Sequence, residues 1–438
     1  MHAITVTVKG RPPVVVSTGT RISDLLPSVD SDGFPVLGAI ANNMVLPLFM
    51  PLRADTSLAP LTIRDPHGWD IYRTSLCFLL AKTAHELYPG IECRVRNSVG
   101  SGLYCTVQWP DLSPASLEAH VKRLKAAMMD AVRQDLSISP VTVSYEAATR
   151  LFRESGQTDK LNLLAHRNPP IVCLAQCGSF FELSQEPLVP RTGLLDLFDL
   201  IPHSNGFVLN VPTSARPREL PPLPPYEHLF TVYQEHIEWG KIVGITTVGE
   251  LNQAVLEKRA DDFVHTVEAL HDKKLGRIAD AISQHTPAVR LVLVAGPSSA
   301  GKTTFSKRLI THLRVNGYRP ILISTDNYFV GDARNPRDEA GNLDYEHIEA
   351  MDLPRLNRDL LRLMACEEVH LRAFDFKKKE GYDQPDAIRL PENGIIVMEG
   401  IHSLNPQLTA DVPREQKFLI YINALTQLGV DSSTRIST

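Results

Sequence analysis

Gly296-Pro297-Ser298-Ser299-Ala300-Gly301-Lys302-Thr303-Thr304 sets two glycines ahead of a lysine and a hydroxyl residue in the order G-x-x-x-x-G-K-T. Glycines at those positions let the backbone turn its N–H groups toward phosphate oxygens, while Lys302 reaches the β and γ phosphates and the Thr303 hydroxyl ligates magnesium. The pattern predicts ATP and Mg2+ as cofactors, with Gly296 through Thr304 cradling the nucleotide and Lys302 stabilising the migrating phosphoryl group. Two carboxylates fall where such a site needs them. Asp326 follows the next apolar run and is suited to take a proton from an attacking hydroxyl or to orient it. Glu399 ends a later run, Ile395-Ile396-Val397-Met398, and would stand beside Thr303 at the magnesium.

These residues need a scaffold, and the flanking pattern supplies one. The apolar, β-branched run before Gly296 reads as a strand, and Phe305, Leu309 and Leu313 repeat at helical spacing before Asn316-Gly317 and Pro320 end the helix. Ile321 to Ser324 is the next strand and delivers Asp326 to its C-terminal end, the edge at which open parallel sheets bind ligands. From Val289 onward strands alternate with capped helices, which predicts a doubly wound parallel sheet. Asp352-Leu353-Pro354 reads as a helix N-cap rather than a catalytic acid. His347 and the run Lys377-Lys378-Lys379 read as solvated surface, with one lysine able to touch a phosphate.

The rest of the chain looks different. Ile4, Val6 and Val8 alternate with polar residues, and a turn at Gly10 to Pro13 leads to Val14, Val15 and Val16, a β-hairpin opening a small β-rich domain up to about Ile63. From Trp69 to Leu87 apolar residues approximate helical spacing until Pro89-Gly90. A mixed domain follows, with a helical stretch over Leu117 to Val132 and an apolar segment over Ile171 to Leu174. The proline-rich run PTSARPRELPPLPP at residues 212–225 reads as a linker, and residues 226–285 as a helical connector.

Composition narrows the function classes. The chain has 438 residues, 43% hydrophobic and 22% charged, which suits several globular domains. A formal net charge of -5 gives no global attraction to nucleic acid or an anionic membrane. Six cysteines without a CxxC pair argue against a disulfide framework and for a reducing, cytoplasmic setting. No run of about 18 apolar residues suggests a membrane span.

Through GPSSAGKTT, ISTDNYF, NLDYEH, AFDF, VMEGIH and INALTQLGVDSSTRIST, residues 289–438 resemble the uridine kinase and phosphoribulokinase group of P-loop kinases. The resemblance implies Asp326 as catalytic base, Asp344 as the acid holding ribose hydroxyls, Phe374 and Phe376 as aromatics near a nucleobase, and Glu399 as the acid near magnesium. The histidine with which uridine kinases read the pyrimidine falls near Lys379 here. The family continues past RIST into an arginine-rich lid, so the kinase domain is expected to be incomplete at Thr438. Residues 1–63 look like a TGS domain, a β-grasp module. Residues 64–211 resemble the second additional domain of threonyl-tRNA synthetase through IYRTSLCFLLAKTAHELYPG, SGLYC and CGSFFELSQEPLVPRTG. The synthetase's zinc-type ligand positions correspond here to Thr74, Phe78, Cys177 and Phe181. One ligand of four survives, which disfavours zinc and editing hydrolysis; Cys173 and Cys177 are expected as buried thiols.

The expected architecture is thus a multidomain α/β chain: a β-grasp domain at 1–63, an α+β synthetase-like domain at 64–211, a linker and connector at 212–285, and a P-loop kinase domain at 286–438. Three functions stay open. One is a nucleoside kinase, one a kinase of another sugar or sugar phosphate, and one an ATP-sensing, RNA-associated regulator. By analogy the front domains are regulatory or oligomerising, with a homo-oligomer as one outcome.

Overall fold

A computed structural model describes every residue except 1–2, 110–112, 168, 185, 224–226, 286–287, 425–427 and 437–438. The end of the proline-rich run, the expected kinase boundary at 286 and parts of the final motif lie outside the described residues. The chain divides into two compact units, one of Met1–Phe263 with Thr426–Ser437, the other of Val264–Leu425 with Thr438.

The first unit opens with strands β1 (Ala3–Val8), β2 (Val14–Ser17), β3 (Gly38–Ala41), β4 (Met44–Leu46) and β5 (Thr56–Leu61). They form one mixed sheet in the order β2-β1-β5-β3-β4, in which only the β1–β5 pairing is parallel. The alternation noted in the sequence is the inside face: Ile4, Val6 and Val8 are buried. Helix α1 (Pro66–Leu87) starts with proline in its first turn and carries Ile71, Leu76, Leu79 and Leu80 into the main core of the unit. Strands β6 (Cys93–Val99) and β7 (Gly102–Val107), helix α2 (Pro114–Gln134), strand β8 (Ser139–Ser144), and helices α3 (Tyr145–Glu154) and α4 (Thr158–Ala165) follow. Then come β9 (Ile171–Cys177), β10 (Phe180–Leu183), β11 (Asp199–His203) and β12 (Gly206–Asn210). They build two sheets, β10-β9-β8 and β11-β12-β7-β6. Helices α5 (Glu227–Val243) and α6 (Val248–Leu256) complete the unit, and helix α7 (Ala260–Gln284) leads out of it.

The paired-thiol expectation fails at one position. Cys177 is buried but Cys173 is exposed. Both lie on β9, where side chains alternate between faces; Leu174 and Ala175 are both buried and break the alternation, so Cys173 falls on the solvent side while Cys177 faces the core.

The second unit holds β13 (Leu291–Ala295), α8 (Lys302–Val315), β14 (Arg319–Ser324), α9 (Leu353–Met364), the hairpin β15 (Glu368–Asp375) and β16 (Glu380–Arg389), β17 (Gly394–Glu399) and β18 (Lys417–Tyr421). Its sheet has the order β14-β17-β13-β18 with every pairing parallel. Parallel strands covered on both faces read as continuous apolar runs, and here the period of two sorts them into two cores. Leu291, Leu293, Ile396 and Met398 pack with Leu356, Leu360 and Leu363 of α9. Val292, Val294, Ile395 and Val397 pack with Leu309 and Leu313 of α8 and with Leu275, Ala279 and Ile282 of α7. Asp352 caps α9, its carboxylate accepting from the Arg355 N–H at 3.2 Å. Among the described residues no helix is long and apolar enough to cross a membrane.

Candidate active site

In register, Val294 of β13 and Ser324 of β14 both pair with Glu399 of β17, so three strands end at one level. The loops leaving that edge carry the candidate residues. After β13 the chain turns through Gly296 to Gly301. A Cβ on Gly296 would overlap the Ile422 carbonyl and stand 3.0 Å from Ile422 Cγ1, while Gly301 sits at φ +83°, where side chains are strained. One glycine is thus required by close approach and the other by conformation. Gly301 is the N-cap of α8, whose first residues are Lys302 and Thr303. The helix start turns N–H groups and the positive end of its dipole toward the loop, the arrangement that receives phosphate. Lys302 is half-buried and its Nζ donates to the Pro297 carbonyl at 3.0 Å, which folds the ammonium back over the loop.

Thr303 Oγ1 donates to Glu399 Oε1 at 3.1 Å. Glu399 is buried in an otherwise apolar strand. A hydroxyl and a carboxylate side by side are oxygen donors of the kind Mg2+ accepts, and two protein ligands suit an ion that keeps waters and binds phosphates for the rest. The structure therefore fits Mg2+ at this pair.

Asp326 lies in the short 3-10 turn after β14. Burial pushes its carboxyl above the usual aspartate range, against the opposing pull of Lys302, the Thr325 hydroxyl and His402. Lys302 and Asp326 thus share one electrostatic neighbourhood although they come from different loops. The turn is held tightly: Thr325 is buried, and a Cβ on Gly400 would overlap the Thr325 hydroxyl. Sequence reasoning passed over His402 as a separate candidate, although it closes the VMEGIH motif. Burial pushes its imidazole down; the Glu346 carbonyl hydrogen-bonds the protonated ring and opposes this, His347 adds to the downward push, and Asp326 and Glu346 pull back up. The ring thus lies within electrostatic reach of both Asp326 and the loop that carries Asp344.

Asp344 accepts from the Glu346 N–H at 2.9 Å, an Asx turn that shapes this loop. Next to it Tyr345 joins an aromatic cluster. Phe329 stands edge-on to Tyr345 at 5.8 Å and to Phe374 at 5.7 Å, and Phe374 stands 5.2 Å from Phe376. Phe374 is buried, whereas Phe376 is 63% exposed. Lys379 does not stand as a free cation: its Nζ lies 2.8 Å from Asp332 Oδ2 and 3.5 Å from the Tyr345 hydroxyl, which itself hydrogen-bonds Asp332. Asp332, Tyr345 and Phe329 are the residues that spacing did not flag as a group; they meet Lys379 and Phe374 only because the β15–β16 hairpin folds back over the loop after β14. Lys377 and Lys378 donate backbone N–H groups to Asp375 and are exposed, consistent with a solvated run.

A parallel sheet whose inner strand β13 feeds a glycine loop and a phosphate-facing helix, with carboxylates on the neighbouring strand ends, defines a P-loop nucleotide-binding domain. Residues 291–433 match the family model of the Phosphoribulokinase / Uridine kinase family. A solved structure of a possible uridine kinase from Bacillus stearothermophilus aligns at 24% identity and a TM-score of 0.29, covering 34% of this chain and 79% of that one. The N-terminal region is similar instead to threonine–tRNA ligases. The enzyme of Nitrosococcus oceani is 34% identical over 152 residues, 34% of this chain and 23% of the ligase. That of Desulforamulus reducens is 27% identical over 203 residues, 45% of this chain and 31% of the ligase. The chain thus spans about a quarter to a third of the length of these relatives. Among the described residues no group of three or more His, Cys, Asp or Glu side chains could hold a metal ion.

Proposed function

We propose that the P-loop domain, taken as residues 286–438, transfers the γ-phosphoryl group of ATP, with Mg2+, to a hydroxyl of a small molecule, and that this acceptor is a nucleoside phosphorylated at its 5'-hydroxyl. The observation that carries the reading is the convergence at one sheet edge of Lys302, the Thr303–Glu399 pair and a carboxyl made more basic by burial, Asp326. The loop Gly296–Thr304 binds the phosphates through backbone N–H groups. Thr303 and Glu399 hold Mg2+, which when bound neutralises charge on the β and γ phosphates. Asp326 takes the hydroxyl proton as the new O–P bond forms and the bond to the β-phosphate oxygen breaks. Lys302 offsets the charge on the migrating group, and Asp344 orients the ribose.

The aromatic cluster favours a nucleoside over a sugar phosphate. Phe374 and Phe376 offer flat apolar surface for a base, and Lys379, the cation a phosphorylated acceptor would need, is paired with Asp332. In this reading residues 1–63 are a TGS-like module, residues 64–211 a synthetase-like domain that has lost editing chemistry, and residues 212–285 a connector; the front domains regulate or oligomerise the kinase in the cytoplasm. The test is ATP consumption by the 438-residue chain with Mg2+ against a panel of ribonucleosides, sugars and sugar phosphates, beside Asp326→Asn. Nucleoside-dependent turnover that the variant loses by about a hundredfold or more supports both the reaction and the base. ATP binding with no turnover on any acceptor refutes the assignment.

A further inference from the structure

Outside the kinase site, the N-terminal unit contains a cavity of about 390 Å3 beneath helix α1, at the lower end of the size range of small-molecule sites. Its polar wall carries Arg73, Thr74 and Arg435 together with the carboxylates Asp70 and Glu186, and its apolar wall Ile71, Val95 and Leu103. The two arginines differ. Arg73 is committed, bonded to Asp70 at 3.0 Å and stacked on Trp69 at 4.3 Å. Arg435 is half-buried, and among the described residues its guanidinium has neither an ion-pair partner nor a hydrogen-bond acceptor. Burial and the like charge of Arg73 work against its proton and outweigh the opposing pull of Cys77, Tyr233 and Asp70. Asp70, the nearby carboxylate, is already paired with Arg73, and a cation drawn partly out of water without a direct partner of its own is costly, so a ligand that supplies the charge would be favoured there.

The chain also builds a support beneath Arg435. Residues 429–435 form a tight turn in which the Asp431 carboxylate accepts from the N–H groups of Ser433 and Thr434 at 3.0 and 2.7 Å. Val95 N–H donates to the Ser432 carbonyl at 2.9 Å and Val248 N–H to that of Gly429 at 2.9 Å. Below the turn Lys160, 1% exposed, contacts Asp431 at 3.0 Å, Glu182 at 2.9 Å and Asp159 at 3.2 Å. Lys160 and its three carboxylates, all but Asp159 buried, thus fix the turn that delivers Arg435 to the cavity wall.

We propose that this cavity binds a small organic anion, a carboxylate- or phosphate-bearing metabolite whose charged head seats on Arg435 and whose body lies against Ile71, Val95 and Leu103. The site is separate from the phosphotransfer residues and stands whether or not the kinase reading holds. The test is calorimetric titration of the full chain with inorganic phosphate and with succinate, every protein carrying Lys302→Ala so that the P-loop does not add phosphate binding of its own. Saturable binding of either anion is expected, weakened about tenfold or more by Arg435→Gln, the loss of one charge-assisted hydrogen bond. Arg435→Met, which removes the charge but keeps the apolar stem, should weaken binding by a similar factor and serves if the glutamine variant does not fold. Binding of phosphate alone assigns a phosphorylated ligand, and of succinate alone a carboxylate. Absence of binding by both anions at tens of millimolar, or binding untouched by both Arg435 substitutions, overturns the proposal.

Discussion

Gly400→Ala isolates the geometry on which Asp326 depends. The new methyl would overlap the Thr325 hydroxyl outright and stand 2.8 Å from Thr325 Cβ and 3.0 Å from Cγ2, all of them buried. Thr325 cannot swing away, because its neighbours are the end of β14 and the turn that holds Asp326. Overpacking of this kind costs about 1–3 kcal/mol. For a unit of this size that lowers Tm by roughly 2–4 °C per kcal/mol. Displacing Asp326 by as little as ~1 Å would remove about a hundredfold from kcat. Thr325→Ala alone should cost about 1 kcal/mol for the lost hydroxyl. In the double variant the hydroxyl overlap at Thr325 is gone but its Cβ still stands at 2.8 Å, so the Gly400→Ala penalty should be relieved in part. Thermal unfolding and steady-state phosphoryl transfer on the four proteins read the coupling directly. Additive effects, or a Gly400→Ala protein that matches the parent in both assays, would show that Asp326 is not positioned through Thr325.

Three further outcomes follow from the charged groups. Because burial raises the Asp326 carboxyl above its ordinary 3.8, the acid limb of kcat/KM should lie above that value: activity is lost as pH falls through the raised pKa, and the limb should vanish from the residual activity of Asp326→Asn. Lys160→Met leaves the buried Glu182 and Asp431 and the half-buried Asp159 without their cation and should destabilise the N-terminal unit by about 3–5 kcal/mol in urea unfolding. One ammonium cannot neutralise three carboxylates, so Lys160 holds its own proton more tightly and the Asp159 carboxyl is pulled down, while Glu182 is pushed up from its ordinary 4.5 to about 7, chiefly by burial. The folded chain then binds more protons than the unfolded one between pH 4.5 and about 7, and stability falls as pH rises across that window; Glu182→Gln should flatten the fall.

The phosphate loop was legible because its chemistry dictates consecutive residues: a glycine at each tight turn, then the lysine and threonine at the start of α8. The strands flanking it were equally legible, since a parallel sheet covered on both faces demands unbroken apolar runs. Helix α7 was harder. Val264 and Val267 sit at helical spacing and suggest a buried face, yet they are 48% and 38% exposed, and the residues that seal the sheet are Leu275, Ala279 and Ile282, farther along. The proposed acceptor side was only half visible. Phe374 and Phe376 are singled out only by the family resemblance, and the pairing of Lys379 with Asp332 spans 47 positions and exists only once the β15–β16 hairpin has folded back. His402 likewise acquires meaning from Asp326 and Glu346, neither of which is near it in sequence. The buried arrangement around Lys160 draws partners from α4, β10 and the turn at Asp431, and no local spacing could have linked them.

The place of residues 429–435 in the N-terminal unit has a consequence for how the molecule comes into being. On the ribosome, Lys160, Asp159 and Glu182 emerge long before Asp431, and the whole of Val264–Leu425 must be made in between. At bacterial or eukaryotic elongation rates, about 5–20 residues per second, the ammonium and its first two carboxylates wait on the order of ten seconds or more for the third. The first-made unit is therefore the last to be completed, and a fragment ending at Phe263 would lack the Asp431 carboxylate that the finished unit encloses.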